Sequence, residues 1–254
     1  MIWKFVNNEF MNGTENMNTD LLLAKTLKQD ETILRFYQWD PYCISIGANQ
    51  SMEDLLVEKV YRNNIEIVKR PTGGRAILHS EELTYSVIYH LKQGFSPKDL
   101  YKEINIALIT GLANYDEELR KLELHKSQPY FPSYYKENKS AVCFSVSSKN
   151  EINFGGKKLV GSAQRRIGNV VLQHGSILYG DYHKNICNYL ALPENTLSQL
   201  QMEMDNNTTD LNEILNKEID ISDLASSIKS GFEKHFDFKF IDYVNDYELT
   251  TTLG

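Results

Sequence analysis

Gly155-Gly156 and Gly168-Asn169 each interrupt a run of strand-forming residues, and together they constrain this chain more than any other feature. A two-residue loop between antiparallel strands asks for positive φ, which glycine and asparagine adopt at little cost. The stretch from Cys143 to Leu178 is therefore expected to hold a three-strand meander at roughly 150–154, 157–165 and 170–178, with Cys143 just upstream. Side chains alternate along a strand, so Lys158, Val160, Ser162 and Gln164 share one face of the middle strand. That face is mostly polar. From Lys157 to Gly180 there is no Asp or Glu, although the chain carries a formal charge of −7. A basic, acid-free ribbon beside a lone cysteine suits chemistry on an acyl or phosphoryl group.

The acidic balance argues against nucleic acid as a partner, because such proteins usually show a basic footprint. No apolar run approaches the roughly 20 residues that cross a bilayer, and the first residues lack the apolar centre of a signal peptide. Three cysteines, at positions 43, 143 and 187, fit reduced thiols better than a disulfide framework. The expectation is a cytoplasmic protein of one domain over residues 1–254, with no linker that would separate a second domain, no metal-ligand cluster, no nucleic acid and no membrane.

Along the chain, Ile2–Val6 reads as a strand. A helix over Gly13–Leu27 carries Met17, Leu21, Ala24 and Leu27 at helical spacing, with Asn16 and Asp20 at its start. Strands are expected at Thr32–Trp39, Tyr42–Gly47, Ile65–Lys69 and Glu82–His90, a helix at Met52–Asn63, and another from Ser96 or Pro97 to Tyr115. Lys121–His125 is a candidate strand. Later come a short helix at Tyr182–Leu190, a polar exposed stretch at Gln199–Asn207, and a helix opened by Asp220 and Asp223 with the stripe Leu224, Ala225, Ile228 and Phe232. Phe236–Asp242 reads as a closing strand. Cys43 and Cys187 lie among apolar neighbours and read as core thiols.

Two places carry chemistry. In KRPTGGRAILH, residues 69–79, Pro71 fixes one φ and Gly73-Gly74 allows close backbone approach, with Arg70 and Arg75 on either side. Such a loop can face an anion or a carbonyl oxygen, or it can be a hairpin turn with solvated arginines. His79 at its end reads as a hydrogen-bonded structural residue more readily than as a catalyst. The second place is Cys143. A nearby ammonium such as Lys158 favours thiolate over thiol, and a thiolate can attack an acyl carbonyl to form an acyl-enzyme. These residues reach acyl transfer as a reaction class and name no acyl group.

KRPTGGRAILH followed by ELTYSVI, and GKKLVGSAQRR followed by LQHGSIL, resemble the lipoate–protein ligase/octanoyltransferase family. GTENMNTD and YQWDPYCISIGANQS match its early segments, so the resemblance covers most of residues 1–240. It implies a biotin/lipoate-protein-ligase-like α/β fold (α+β), a larger mixed sheet and a smaller sheet flanked by helices. It also implies that Arg70, Gly73, Gly74 and His79 contact substrate, that Lys158 is the family lysine, and that Gly161, Ser162 and Ala163 line the acyl site. Ser80 stands where relatives often carry Asp, and Ser147 and Asn150 replace a proline and an aromatic residue.

The segment AVCFSVSSKNEI is similar to the cysteine segment of ligase-like octanoyltransferases, which makes Cys143 and Lys158 the implied catalytic pair. The expected reaction moves octanoate from acyl carrier protein to a lysine of a lipoyl-domain or glycine-cleavage H-type carrier, with Lys158 lowering the thiol pKa and shuttling the proton. No cofactor is then required. Lys69, Arg70, Arg75, Lys157, Lys158, Arg165 and Arg166 are expected to form a positive docking face for the acidic carrier. Three alternatives remain: an ATP-dependent lipoate ligase needing ATP and Mg²⁺, a lipoyl amidotransferase acting between carrier proteins, and a non-catalytic acyl-binding sensor.

Overall fold

The glycine turns build the hairpins that their sequence demands. In the computed structural model, which describes residues 2–92, 94–126 and 150–243, Gly155, Gly156 and Gly168 have φ of 56°, 82° and 61°. In chain order the elements are β1 (Ile2–Met11), α1 (Gly13–Thr26), β2 (Glu31–Trp39), β3 (Cys43–Ile46), α2 (Val57–Arg62), β4 (Glu66–Lys69), β5 (Ile77–His79) and β6 (Glu82–His90). Then follow α3 (Pro97–Tyr115), β7 (Glu123–Leu124), β8 (Ile152–Phe154), β9 (Lys157–Ile167), β10 (Val170–Leu178), α4 (Glu194–Asn207), α5 (Leu211–Leu215), α6 (Ile221–Phe236) and β11 (Ile241–Asp242). Single 3₁₀ turns at Met52–Asp54, Glu117–Lys121 and Tyr182–Tyr189 link them.

The larger sheet has eight strands in the order β11-β1-β2-β6-β10-β9-β8-β7, and the smaller has three, β4-β3-β5. Both are mixed: β1 runs parallel to β2 and β11, whereas β2, β6, β10 and β9 pair antiparallel. This is the expected architecture of a large mixed sheet and a small one flanked by helices.

One face of the large sheet is apolar and covered by α3 and α6. Leu34, Phe36, Leu83, Val87, Val171 and Ile177 meet Leu100, Ile104, Leu108, Leu224, Ile228 and Phe232 there. The two helices cross at Gly111 and Gly231, where an added Cβ would overlap the partner helix's backbone. The opposite face is covered by α1, through Leu23 and Ala24, and by the small sheet.

Several expectations need adjusting. Helix α1 is opened by the Asn12–Glu15 capping box, not by Asn16 and Asp20, which are buried. The expected helix at 52–63 is a 3₁₀ turn followed by α2. Gln199–Asn207 belongs to α4 and is not simply exposed: Leu200 and Met204 are buried against the second core. The expected strand at Phe236–Asp242 contracts to Ile241–Asp242, because α6 runs on to Phe236. Lys121–His125 yields a strand of only two residues. Strands β4 and β5 do not form a hairpin, since both pair with β3 between them.

Candidate active site

Where the small sheet meets the polar face of the large one, a pocket opens. Met17 of α1, Trp39 of β2, Ser45 of β3, Arg70, Ile77 and His79 form one side. Gly161, Ser162 and Ala163 of β9 with His174 and Ser176 of β10 form the other. Its envelope measures about 380 Å³ with the open mouth included, but the centre of a water-sized sphere reaches only about 20 Å³, room for about one water. Met17, unbranched and with three rotatable bonds, is the lining side chain with most freedom to reshape this space.

The 70–79 loop is built around Arg70. Its guanidinium donates to the carbonyls of Ser45 (2.8 Å), Gly73 (3.0 Å) and Arg75 (2.7 Å), and the side chain is buried. The loop also packs against 47–50: Ala48 N donates to Thr72 O, and a Cβ on Gly47 would overlap the Gly74 carbonyl oxygen. Gly47 therefore serves a close approach between two backbones, Gly74 uses its freedom for a φ of 97°, and Gly73 has open space around it. Arg70 holds the pocket wall in shape and at the same time lines it.

Two buried histidines flank the pocket, each backed by a carboxylate. His79 Nδ1 lies 2.8 Å from Glu82 Oε1, and its Nε2 lies 2.7 Å from Ser45 Oγ. A carboxylate at Nδ1 assigns the proton there, so Nε2 accepts from the serine hydroxyl. Trp39 stacks on the same ring at 4.0 Å. Burial works against Glu82's charge, but His79, Ser176 and Thr84 outweigh it and hold the carboxyl below its ordinary range. His79 is thus hydrogen-bonded at both ring nitrogens, and it also lines the pocket.

The second histidine, His174, has Nε2 at 2.7 Å from Thr72 Oγ1 and Nδ1 at 3.4 Å from Asp20 Oδ2. Asp20 in turn accepts from Arg35 (2.8 Å) and Ser86 (2.8 Å), and Arg35 also reaches Asn16 Oδ1 at 2.6 Å. Burial opposes the charge on Asp20, yet His174, Arg35 and Ser86 together lower its pKa. Burial pushes the His174 pKa down, so this ring is neutral at pH 7.

Lys158 sits elsewhere. It lies on the same strand as Gly161 but on the helix-covered face, and its Nζ is 3.0 Å from Glu151 Oε1 with neither side chain more than 3 % exposed. Ser162 points to that face too, 2.7 Å from the Tyr85 hydroxyl. The expected grouping of Lys158, Val160, Ser162 and Gln164 on one side of β9 is therefore correct, and α3 covers it. Cys143 lies outside the described residues. The other two cysteines are buried, with burial raising the pKa of Cys43 well above its usual value and that of Cys187 to about 11. The expected positive docking face must shrink, because Arg70 and Lys158 are buried and Lys157 pairs with Glu213 at 3.1 Å. Lys69, Arg165 and Arg166 remain exposed. Among the described residues no three His, Cys, Asp or Glu side chains are placed to hold a metal ion, and no helix is long and apolar enough to cross a membrane.

The model of the lipoyl protein ligase A/B catalytic domain matches residues 12–233. The chain belongs to that family. Among curated relatives, the octanoyltransferase LipM of Bacillus subtilis (strain 168) is 31 % identical over 98 % of this chain and 90 % of its own. That of Clostridioides difficile (strain 630) is 31 % identical over 97 % and 92 %. Among solved structures, lipoate-protein ligase A bound with ATP aligns with a TM-score of 0.76 at 18 % identity, covering 98 % of this chain and 92 % of that one. A bipartite lipoate protein ligase from Thermoplasma acidophilum aligns with a TM-score of 0.76 at 19 % identity, covering 98 % and 90 %. These two matches establish a shared fold.

The pocket thus brings together Arg70, His79, Gly161, Ser162 and Ala163. Gly73 and Gly74, expected to contact substrate, are not among the residues that line it, and Lys158 lies on the other face of β9. Sequence reasoning missed Asp20, Arg35, Ser45, Glu82, Glu151 and His174. One signal was available: Arg35 interrupts the apolar run from Ile33 to Tyr37, and a charge there must find a buried partner.

Proposed function

We propose that this acyltransferase moves an octanoyl group from acyl carrier protein, through a thioester on Cys143, to a lysine of a lipoyl-domain or glycine-cleavage H-type carrier. The observation that carries the reading is the one-third identity to octanoyltransferases LipM across nearly the whole chain. The pocket adds support, since its walls place apolar Met17, Trp39, Ile77 and Ala163 beside hydrogen-bonding His79 and Ser45. Such an apolar lining suits a short acyl chain.

The steps balance without nucleotide. The Cys143 thiolate attacks the donor thioester, the bond to the phosphopantetheine sulfur breaks, and that sulfur leaves as thiolate and takes up a proton. The carrier lysine's amine then attacks the enzyme thioester, the amide forms, and the cysteine sulfur recovers the proton. Exchange between thioesters is nearly isoenergetic and aminolysis runs downhill, so the reading requires neither ATP nor Mg²⁺. Lys158 supplies positive charge that favours thiolate.

Incubation with octanoyl-acyl carrier protein, without ATP, followed by intact-mass measurement tests this. The expected product is a hydroxylamine-labile octanoyl adduct, absent in Cys143→Ala. Lipoate-dependent ATP–pyrophosphate exchange without an adduct would replace the reading with a ligase. Acylation from a lipoylated carrier protein, and not from acyl carrier protein, would replace it with an amidotransferase. Absence of all three reactions points to a sensor.

A further inference from the structure

We infer that Glu151 is a positioning residue for the transfer: it fixes Lys158 as a stationary ammonium behind the pocket wall, so that the lysine acts through its charge and not as a proton shuttle. The inference rests on the reading above, in which Lys158 assists transfer. Its own support is geometric. The pair is 3.0 Å apart and buried at both ends.

Both backbones are clamped as well. His125 N donates to Glu151 O at 2.8 Å, and Thr209 N donates to Lys158 O at 3.1 Å. The preceding residue is held by Asn105 of α3, whose amide donates to Asn150 O at 2.7 Å. Asn153 of β8 stands opposite Lys158 in the ladder. Both side chains of the pair therefore start from fixed backbone positions.

Burial first, and then Glu151's charge, raises the Tyr101 hydroxyl well above its ordinary pKa. Tyr85 is pushed up to about 12, chiefly by burial and in part by Glu151. Both phenols therefore stay protonated. Taking a proton from Lys158 would remove a cation 3.0 Å from the buried Glu151 carboxylate, which a low-dielectric setting penalises strongly. A cation fixed in advance needs no reorganisation when negative charge develops on sulfur or oxygen nearby, and that is how preorganised charge accelerates acyl transfer.

Steady-state octanoyl transfer by Glu151→Gln, Glu151→Asp, Lys158→Gln and the Glu151→Gln/Lys158→Gln double variant tests this, with a thermal melt of each. In Glu151→Gln we expect kcat to fall about 100-fold, the scale of a small misplacement of a catalytic group, with KM for the acyl donor changed less than about twofold. Glu151→Asp keeps the charge on a shorter arm and should lose less. The double variant should be no slower than Lys158→Gln, because both changes remove one unit.

Wild-type kcat in Glu151→Gln while Lys158→Gln is inactive overturns the inference and spares the lysine's role. Losses that multiply in the double variant also overturn it. Full activity in Lys158→Gln removes the lysine's role and this inference together. If Cys143→Ala keeps turnover while Lys158→Gln and Glu151→Gln lose it, the thioester reading fails and the pair stands. Should Glu151→Gln melt below the assay temperature, Glu151→Asp decides: lowered kcat at constant KM supports the inference, and wild-type kcat overturns it.

Discussion

On the face of the large sheet under α3 and α6, buried side chains such as Leu34, Val87, Ile177, Leu108 and Ile228 meet each other. On the face under α1 and the small sheet, Arg35, Asp20, Ser86, His174, Thr84 and Glu82 are equally buried and meet only through hydrogen bonds and ion pairs. The first face gains stability from area removed from water, which tolerates imperfect geometry. The second gains it only while every partner is in place, because a buried polar group without its partner is costly. Apolar burial thus dominates one side of the sheet and polar pairing the other, with Lys158–Glu151 and the Ser162–Tyr85–Gln173 hydrogen bonds as polar exceptions inside the helix-covered half.

The sharpest way to break this contrast is Arg35→Met. It leaves Asp20 buried without its cation and should cost about 3–5 kcal/mol, measured by denaturant unfolding, together with transfer activity through His174. On the apolar face, Leu34→Ala should cost about 2–5 kcal/mol, yet kcat/KM per folded molecule should stay at the wild-type value. Equal loss of activity in both variants would erase the distinction between the faces.

Acid titration sharpens the contrast at a smaller scale. Asp20 and Glu82 have pKa values lowered by folding, so their contribution is fully present above their unfolded values, about 4. It is lost as pH falls through the lower folded values. His174, also lowered, adds loss from about pH 6.5 downward. Melting temperature against pH should therefore fall on the acid side, and Asp20→Asn should flatten that limb. Leu34→Ala should shift the curve without changing its shape.

The smallest effect separates adjacent lysines. Lys157 pairs with Glu213 where the two side chains are 37 % and 47 % exposed. Lys157→Ala should therefore change stability by less than about 1 kcal/mol and leave kcat unaltered, in contrast to Lys158→Gln.

Much of the fold was legible because its signals are local. The glycine pairs fixed the hairpins around β9, and the stripe of α6 named its buried residues before any contact was known. The glycine loop and Gly161–Ala163 could be singled out, and the structure brings them to one pocket. What stayed hidden was pairing at a distance. Asp20 and Arg35 are fifteen residues apart in sequence, and Thr72 and His174 more than a hundred. An aspartate on a helix reads as an exposed residue or a cap until a strand carries an arginine beneath it.

Periodicity and turn chemistry, properties of neighbouring residues, determined the strands, the helices and the order in which they follow. The tertiary structure alone decided which face of β9 looks into the pocket, that Arg70 spends its guanidinium on three carbonyls, and that Lys158 is matched by Glu151. Those outcomes depend on burial, and burial is set only when separate segments close over one another and exclude water.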